Sequence, residues 1–184
     1  MNRSLKFALI FVALLFISKT FNSDQLRRKK MIFEAIYKKY GANRLGKFAK
    51  VYEALESLKL SDLQFKLALI QIMQETGVFA STSKVYDLNT NASGITFSGS
   101  EAQLKTGAIK GSLRPTNEGG NYAKYPTLRA WAVDYLRILN KGVFPLTAKT
   151  PLEFAQKLKQ NKYYTDSVEN YSKNLNFYYN LINK

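Results

Sequence analysis

Helical spacing runs along the chain on both sides of one stretch, Val78 to Tyr125, and fails inside it. Gly, Ser, Thr and Asn crowd that stretch, as in "NTNASGITFSGS" and "KGSLRPTNEGGNYAKY". Those residues suit turns and a short hairpin rather than a helix. A long irregular segment inside a compact domain is more often functional than incidental. The chain is therefore expected to be α+β and predominantly helical, with a short loop-rich lobe between helices.

The flanking helices carry their own signals. Ile32, Phe33, Ile36 and Tyr37 fall at helical spacing within Gln25 to Tyr40, and Gly41 can end that helix. Phe48, Val51, Tyr52 and Leu55 mark a second helix over about 42–58. Ser61 or Asp62 caps a third, whose stripe is Phe65, Leu69, Ile72 and Met73, with Gly77 as its stop. After the irregular stretch, Thr127 caps "LRAWAVDYLRILNKG", with Leu128, Trp131, Tyr135 and Ile138 or Leu139 facing inward and Gly142 beyond. Thr150-Pro151-Leu152-Glu153 reads as a capping box with Pro at the first helical position. Asp166 to Glu169 opens the terminal helix in the same manner.

Residue types that are missing narrow the chemistry. The chain of 184 residues contains no Cys and no His. Disulfides, thiol nucleophiles, zinc-thiolate centres and His-dependent triads are excluded. Any acid–base work falls to Asp, Glu, Lys or Tyr, and Asp and Glu number only 13. Those acids are scattered, so neither a metal site nor a cofactor is expected. Twelve Tyr and twelve Phe supply a core and suit a groove for sugar-like faces.

At the N-terminus, Arg3 and Lys6 precede the apolar run Phe7 to Ile17, "FALIFVALLFI". Its length suits a signal-peptide core and is short for a membrane span. No A-x-A cleavage site follows, so residues 1–30 read as a signal peptide or an N-terminal membrane anchor, with "RRKK" as a basic flank. Residues 31–184 are expected to form one domain, exported to the periplasm, envelope or medium. The formal charge of +15 divides into +6 for residues 1–30 and +9 for the rest. Such a charge draws an exported protein to anionic envelope surfaces. The lysines are dispersed and no nucleic-acid fold signature is present, so nucleic acid is not expected as a partner.

One acid stands apart. Glu75 ends the apolar run "LIQIMQET" just before Gly77. The negative end of a helix and apolar neighbours both favour the protonated carboxyl, the state required of a general acid. A solvated acid at a helix end is the plain alternative.

The stretch Leu69 to Ile95 resembles the glucosaminidase family of peptidoglycan hydrolases, the endo-beta-N-acetylglucosaminidases of autolysin and flagellar rod-assembly type. The resemblance lies in Gln74-Glu75-Thr76-Gly77, in Ser81 to Ser83, and in Asn91-Ala92-Ser93-Gly94-Ile95. Further on, "NYAKYPTLRAWAVDYLRIL" is similar to the family's FRxY segment and following helix. Tyr163, Thr165, Asp166 and Tyr171 match its closing Y-x-T-D…Y element. The ordered set covers roughly Ser61 to Lys184. Ser93 stands where the family carries an aromatic residue, and Ala92 where it carries a larger apolar one.

The resemblance implies a lysozyme-like fold and cleavage of β-1,4 glycosidic bonds in peptidoglycan glycan strands by a monomer. It makes Glu75 the catalytic acid. Among the lobe acids Asp87, Glu101 and Glu118, it favours Glu118 as a second carboxylate, with Glu101 next. It makes Asn91, Tyr122 and Tyr163 substrate-binding candidates, although a local Asx turn accounts equally for Asn91 and helix packing for Tyr163. Two rivals remain: a lytic transglycosylase working with one acid, and an inactive glycan-binding or assembly protein.

Overall fold

The computed structural model describes residues 23–80 and 84–183. The apolar run Phe7 to Ile17, on which the signal or anchor reading depends, lies outside them, as does the Ser81 to Ser83 turn. Among the described residues no helix is long and apolar enough to cross a membrane.

The elements are α1 (Ser23–Tyr40), α2 (Ala42–Glu56), α3 (Asp62–Thr76), α4 (Lys84–Asn89), α5 (Glu101–Leu104), β1 (Ile109–Leu113), β2 (Asn121–Lys124), α6 (Leu128–Leu139), a 3-10 turn (Pro145–Thr147), α7 (Pro151–Gln160) and α8 (Val168–Ile182). The fold is α+β and mostly helical, as expected. Helix α1 begins well before the expected boundary after Lys30. Arg28 pairs with Asp62, and Lys29 lies 3.2 Å from Glu56. These two members of "RRKK" are committed to the folded unit, which therefore includes residues 23–30.

Helix α3 is the centre of the molecule. The expected stripe is too narrow a description, because every residue from Leu67 to Met73 is buried. A helix apolar nearly all round belongs inside, with other helices covering it. Phe65, expected in the stripe, is only half-buried and meets Tyr52 edge-on at 4.8 Å. The helix opens on a full capping box, Ser61 with Gln64, and closes on left-handed Gly77 (φ 53°). The sequence offers Ser61 or Asp62 as the cap and Gly77 as the stop; the structure uses Ser61, and the Gln64 half of the box was not expected.

Two other caps differ in detail from expectation. The Thr150 hydroxyl accepts from Glu153 N, but the Glu153 carboxylate accepts from Lys149 N, one residue ahead of the cap. At α8 the cap is Ser167, which accepts from Asn170 N, while Asp166 accepts from Ser167 N. Two adjacent cap-competent residues compete there, and the hydroxyl takes the cap position.

The lobe contains the expected hairpin. Strands β1 and β2 pair antiparallel, Ile109 with Lys124 and Lys110 with Ala123, and the register slips before Leu113 pairs with Asn121. Residues 95–97 flank the other side of β2 through Ala123 N to Ile95 O and Phe97 N to Asn121 O. The short helices α4 and α5 were not expected.

Buried amides and one buried acid hold this lobe to the helices. Asn89 accepts from Ser112 N at 2.9 Å and donates to Ser112 Oγ at 2.7 Å. Asp134 on α6 is fully buried. It accepts from Tyr125 Oη (2.7 Å), Gln103 Nε2 (3.1 Å) and Arg137 Nε (2.6 Å). Gln103 passes the anchor onward by accepting from Ser98 N and donating to Thr96 O. Truncating one member of a buried charged network strands its partners. Asp134→Ala is therefore expected to lower unfolding free energy by about 3–5 kcal/mol. Urea denaturation followed by the fluorescence of the single Trp measures this; a loss below about 1 kcal/mol would deny the anchoring role.

Candidate active site

A cleft of about 1060 Å³ lies between the lobe and the helical body. Glu75, Asn91, Glu118, Tyr122 and Tyr163 all line it. The candidates come from the end of α3, the lobe, β2 and the turn between α7 and α8, so only the tertiary fold brings them together. Glu101 and Asp87 lie apart from them. Glu101 pairs with Lys105 within α5 and its C-cap, and Asp87 with Lys47 of α2.

Glu75 is held from one side. Its Oε1 accepts from Tyr171 Oη at 2.7 Å and from Gln71 Nε2 at 3.2 Å. Gln71, one turn earlier on α3, is fully buried. Its Oε1 accepts a short bond from Tyr135 Oη, and that hydroxyl also reaches Ala68 O at 3.1 Å. Stacked rings fix both tyrosines. Tyr171 lies on Tyr164 at 3.8 Å and 6°, and Tyr135 on Trp131 at 5.4 Å and 13°.

The Glu75 residue is open to solvent on the cleft side. Its carboxyl nevertheless has a raised pKa, because the surrounding protein excludes bulk water from the rest of its environment. The bonds from Tyr171 and Gln71 pull in the opposite direction and do not cancel that effect. Solvent reaching the mouth of a cleft and desolvation at its floor are compatible, and the second decides the titration. Burial, with the Glu75 charge second, raises the Tyr163 and Tyr171 hydroxyls above their ordinary range, so both remain protonated donors.

The other candidates divide. Asn91 is buried and spends its side chain internally. Its Nδ2 donates to Ile95 O and Ala123 O, and its Oδ1 accepts from Ser93 N and Ile95 N. The turn-positioning reading is the one its bonds support; both donor hydrogens are already used. Tyr163 Oη donates to Ser93 O at 3.3 Å. Tyr122 faces the cleft beneath the Arg114 guanidinium, 5.7 Å from its ring centre. Glu118 lies in an exposed turn, paired to Arg114 at 2.6 Å. Gly119 and Gly120 follow it with φ of 65° and 74°, conformations that glycine adopts freely.

Sequence reasoning missed Gln71, although it is the one polar residue within the buried run Leu67 to Met73. It also missed the part played by Ser93. The Ser93 hydroxyl accepts from Trp131 Nε1 at 3.0 Å while its carbonyl receives Tyr163. Where the resembling family has an aromatic residue, a hydrogen-bonded pin joins α6, the lobe and Tyr163. Among the described residues no cluster of acids could hold a metal ion.

No family model matches this chain, and no curated protein matches it. Among solved structures, the chain is similar to the catalytic domain of the autolysin Auto from Listeria monocytogenes. The likeness has 18% identity and a TM-score of 0.46, over 90% of this chain and 99% of that one.

Two predictions follow from the acid's surroundings. Tyr171→Phe keeps the stack on Tyr164 but removes a bond to the carboxylate, so the Glu75 pKa should rise further. Titration of the side-chain carboxyl by 13C NMR reads this; a fall would contradict the direction. Second, the folded-state pKa lies above the usual 4.5. Folding therefore binds the Glu75 proton more tightly, and stability is lost as pH rises through the folded value. Glu75→Gln should melt higher than wild type above that pH, with the gap closing below about pH 4.5. Thermal scans across pH measure it.

Proposed function

We propose that the protein is a peptidoglycan hydrolase that cleaves β-1,4 glycosidic bonds as an endo-beta-N-acetylglucosaminidase. The observation that carries this reading is the carboxyl of Glu75, kept prone to hold its proton in an open cleft of about 1060 Å³. The sequence resemblance supplies the substrate class and the lysozyme-like reading of the fold. A site of this kind can deliver a proton to a departing glycosidic oxygen near neutral pH.

The bond breaks through a transition state with positive charge on the sugar. Glu75 protonates the leaving oxygen as the bond to the anomeric carbon lengthens. Tyr171 and Gln71 then stabilise the carboxylate that remains, since their bonds favour the charged form. Something must compensate the positive sugar or activate water. Glu118 on the lobe side of the cleft is one source, after exchanging Arg114 for the substrate. The acetamido group of the substrate itself is the other. Tyr163 and Tyr122 offer a hydroxyl and a ring face to the sugars.

One observation favours a second reading. Glu75 and Glu118 are the only acids lining the cleft among the described residues, and Glu118 is already ion-paired. Glu75 alone is uncommitted to a cation, which suits a lytic transglycosylase. An inactive glycan-binding protein retains the groove without turnover.

The experiment is digestion of purified peptidoglycan with residues 23–184, then borohydride reduction and mass spectrometry. Reduced N-acetylglucosamine ends are expected. Glu75→Gln should reduce the rate by about 10²–10⁴-fold, the range for loss of a general acid. Full activity in Glu118→Gln would support substrate assistance. Anhydro-muramyl ends would identify the transglycosylase, and binding without products the inactive protein. Unchanged turnover in Glu75→Gln would remove both enzymatic readings.

A further inference from the structure

The cleft contains more positive charge than its acids balance. Four cations line it: Arg114, Arg137, Lys141 and Lys162. Arg114 is paired with Glu118, and Arg137 with the buried Asp134. Lys141 and Lys162 are exposed, and among the described residues neither ammonium has an ion-pair or hydrogen-bond partner. Both stand on the helical wall, Lys141 just beyond the end of α6 and Lys162 just beyond the end of α7.

The two lysine-bearing turns are built as a unit. Asn161 Nδ2 donates to Lys141 O at 2.8 Å, and Asn161 Oδ1 accepts from Val143 N at 3.2 Å. Gly142 makes that clamp possible. It sits at φ 59°, and a Cβ there would lie 2.1 Å from Asn161 Oδ1. Lys162 itself has φ 56°, an uncommon conformation for a residue with a side chain. It immediately precedes Tyr163, whose hydroxyl is raised in part by the charge of Glu75. Both lysines line the same cleft as Glu75 and Tyr163. Lysines at helix ends also ease the negative end of a helix, but that role needs neither the shared clamp nor the cleft.

We propose that this wall recognises carboxylates carried by the glycan next to the bond that is cleaved. The preferred substrate is then an acidic β-1,4 glycan, with its carboxylates on peptide substituents or on lactyl groups that bear no peptide, and a neutral N-acetylglucosamine polymer is a poor one. This rests on the proposed function for the class of polymer, while the charge preference is testable without turnover. Two solvated ammoniums act together on such a group, and a preference of about tenfold is the expected scale.

The test uses Glu75→Gln, which binds without cutting, and Glu75→Gln with Lys141→Gln and Lys162→Gln. Each is sedimented with peptidoglycan freed of phosphodiester-linked polymers by hydrogen fluoride, before and after carbodiimide amidation of its carboxylates. A control carries Lys50→Gln and Lys173→Gln, an equal charge loss outside the cleft. Native material should bind Glu75→Gln about tenfold more tightly than amidated material. Loss of both cleft lysines should remove that preference, and the control should keep it. Circular dichroism confirms that each variant is folded. Equal binding of native and amidated material, or equal losses in the cleft and control variants, would overturn the proposal. So would a preference seen only before hydrogen fluoride treatment, which would assign the wall to phosphate. Should digestion by the wild type fail, these binding results still decide the charge preference.

Discussion

A single glutamine within an apolar helix organises the site. Gln71 is enclosed at the centre of α3, where an amide left without partners costs about 1–3 kcal/mol. Its oxygen is satisfied by Tyr135 of α6, and its nitrogen turns to Glu75. Tyr171 of α8 completes the set. Three helices are thereby brought into register around one carboxyl. The arrangement costs stability as well, because the acid is desolvated more than its two donors compensate. A carboxyl placed at the end of a surface helix would have no such tension and no reason to retain a proton.

The lobe follows a similar rule on a smaller core. It has only two short strands and two short helices, too little apolar surface to stand alone. Buried polar groups substitute: Asn89 locks the hairpin, Asn91 its flanking turn, and Asp134 with Gln103 ties both to α6. Directional bonds fix position where packing is thin. One wall of the cleft is therefore held by hydrogen bonds and the other by a close-packed helical core. The Glu118 turn hangs from the hydrogen-bonded side and Glu75 belongs to the packed side.

This division explains what the sequence made legible. Helices α1, α2, α3, α6, α7 and α8 could be read because apolar spacing and caps are local signals. The cap at α8 was misplaced by one residue, since Asp166 and Ser167 are both competent and only tertiary context chooses. Helices α4 and α5 span six and four residues, too short to express a period. Glu75 was legible as an acid ending an apolar run. Gln71 was not, because glutamine is usually a surface residue of helices, and its burial depends on helices far along the chain. Asn91 reads in the sequence as either a turn former or a substrate contact, and its side-chain bonds all lie within the turn and the adjoining strand.

The two sides of the cleft also carry different charge states, and this bears on how one acid or two would operate. Glu118 is neutralised by Arg114 beside the face of Tyr122, so the lobe presents a closed ion pair. The helical wall presents Lys141 and Lys162, which have no counter-ion among the described residues. A polymer entering the cleft meets net positive charge on the side where Glu75 must keep its proton. The proton of Glu75 is thus governed by burial against the bonds from Tyr171 and Gln71, while the lysines bear on the charge of the polymer that enters.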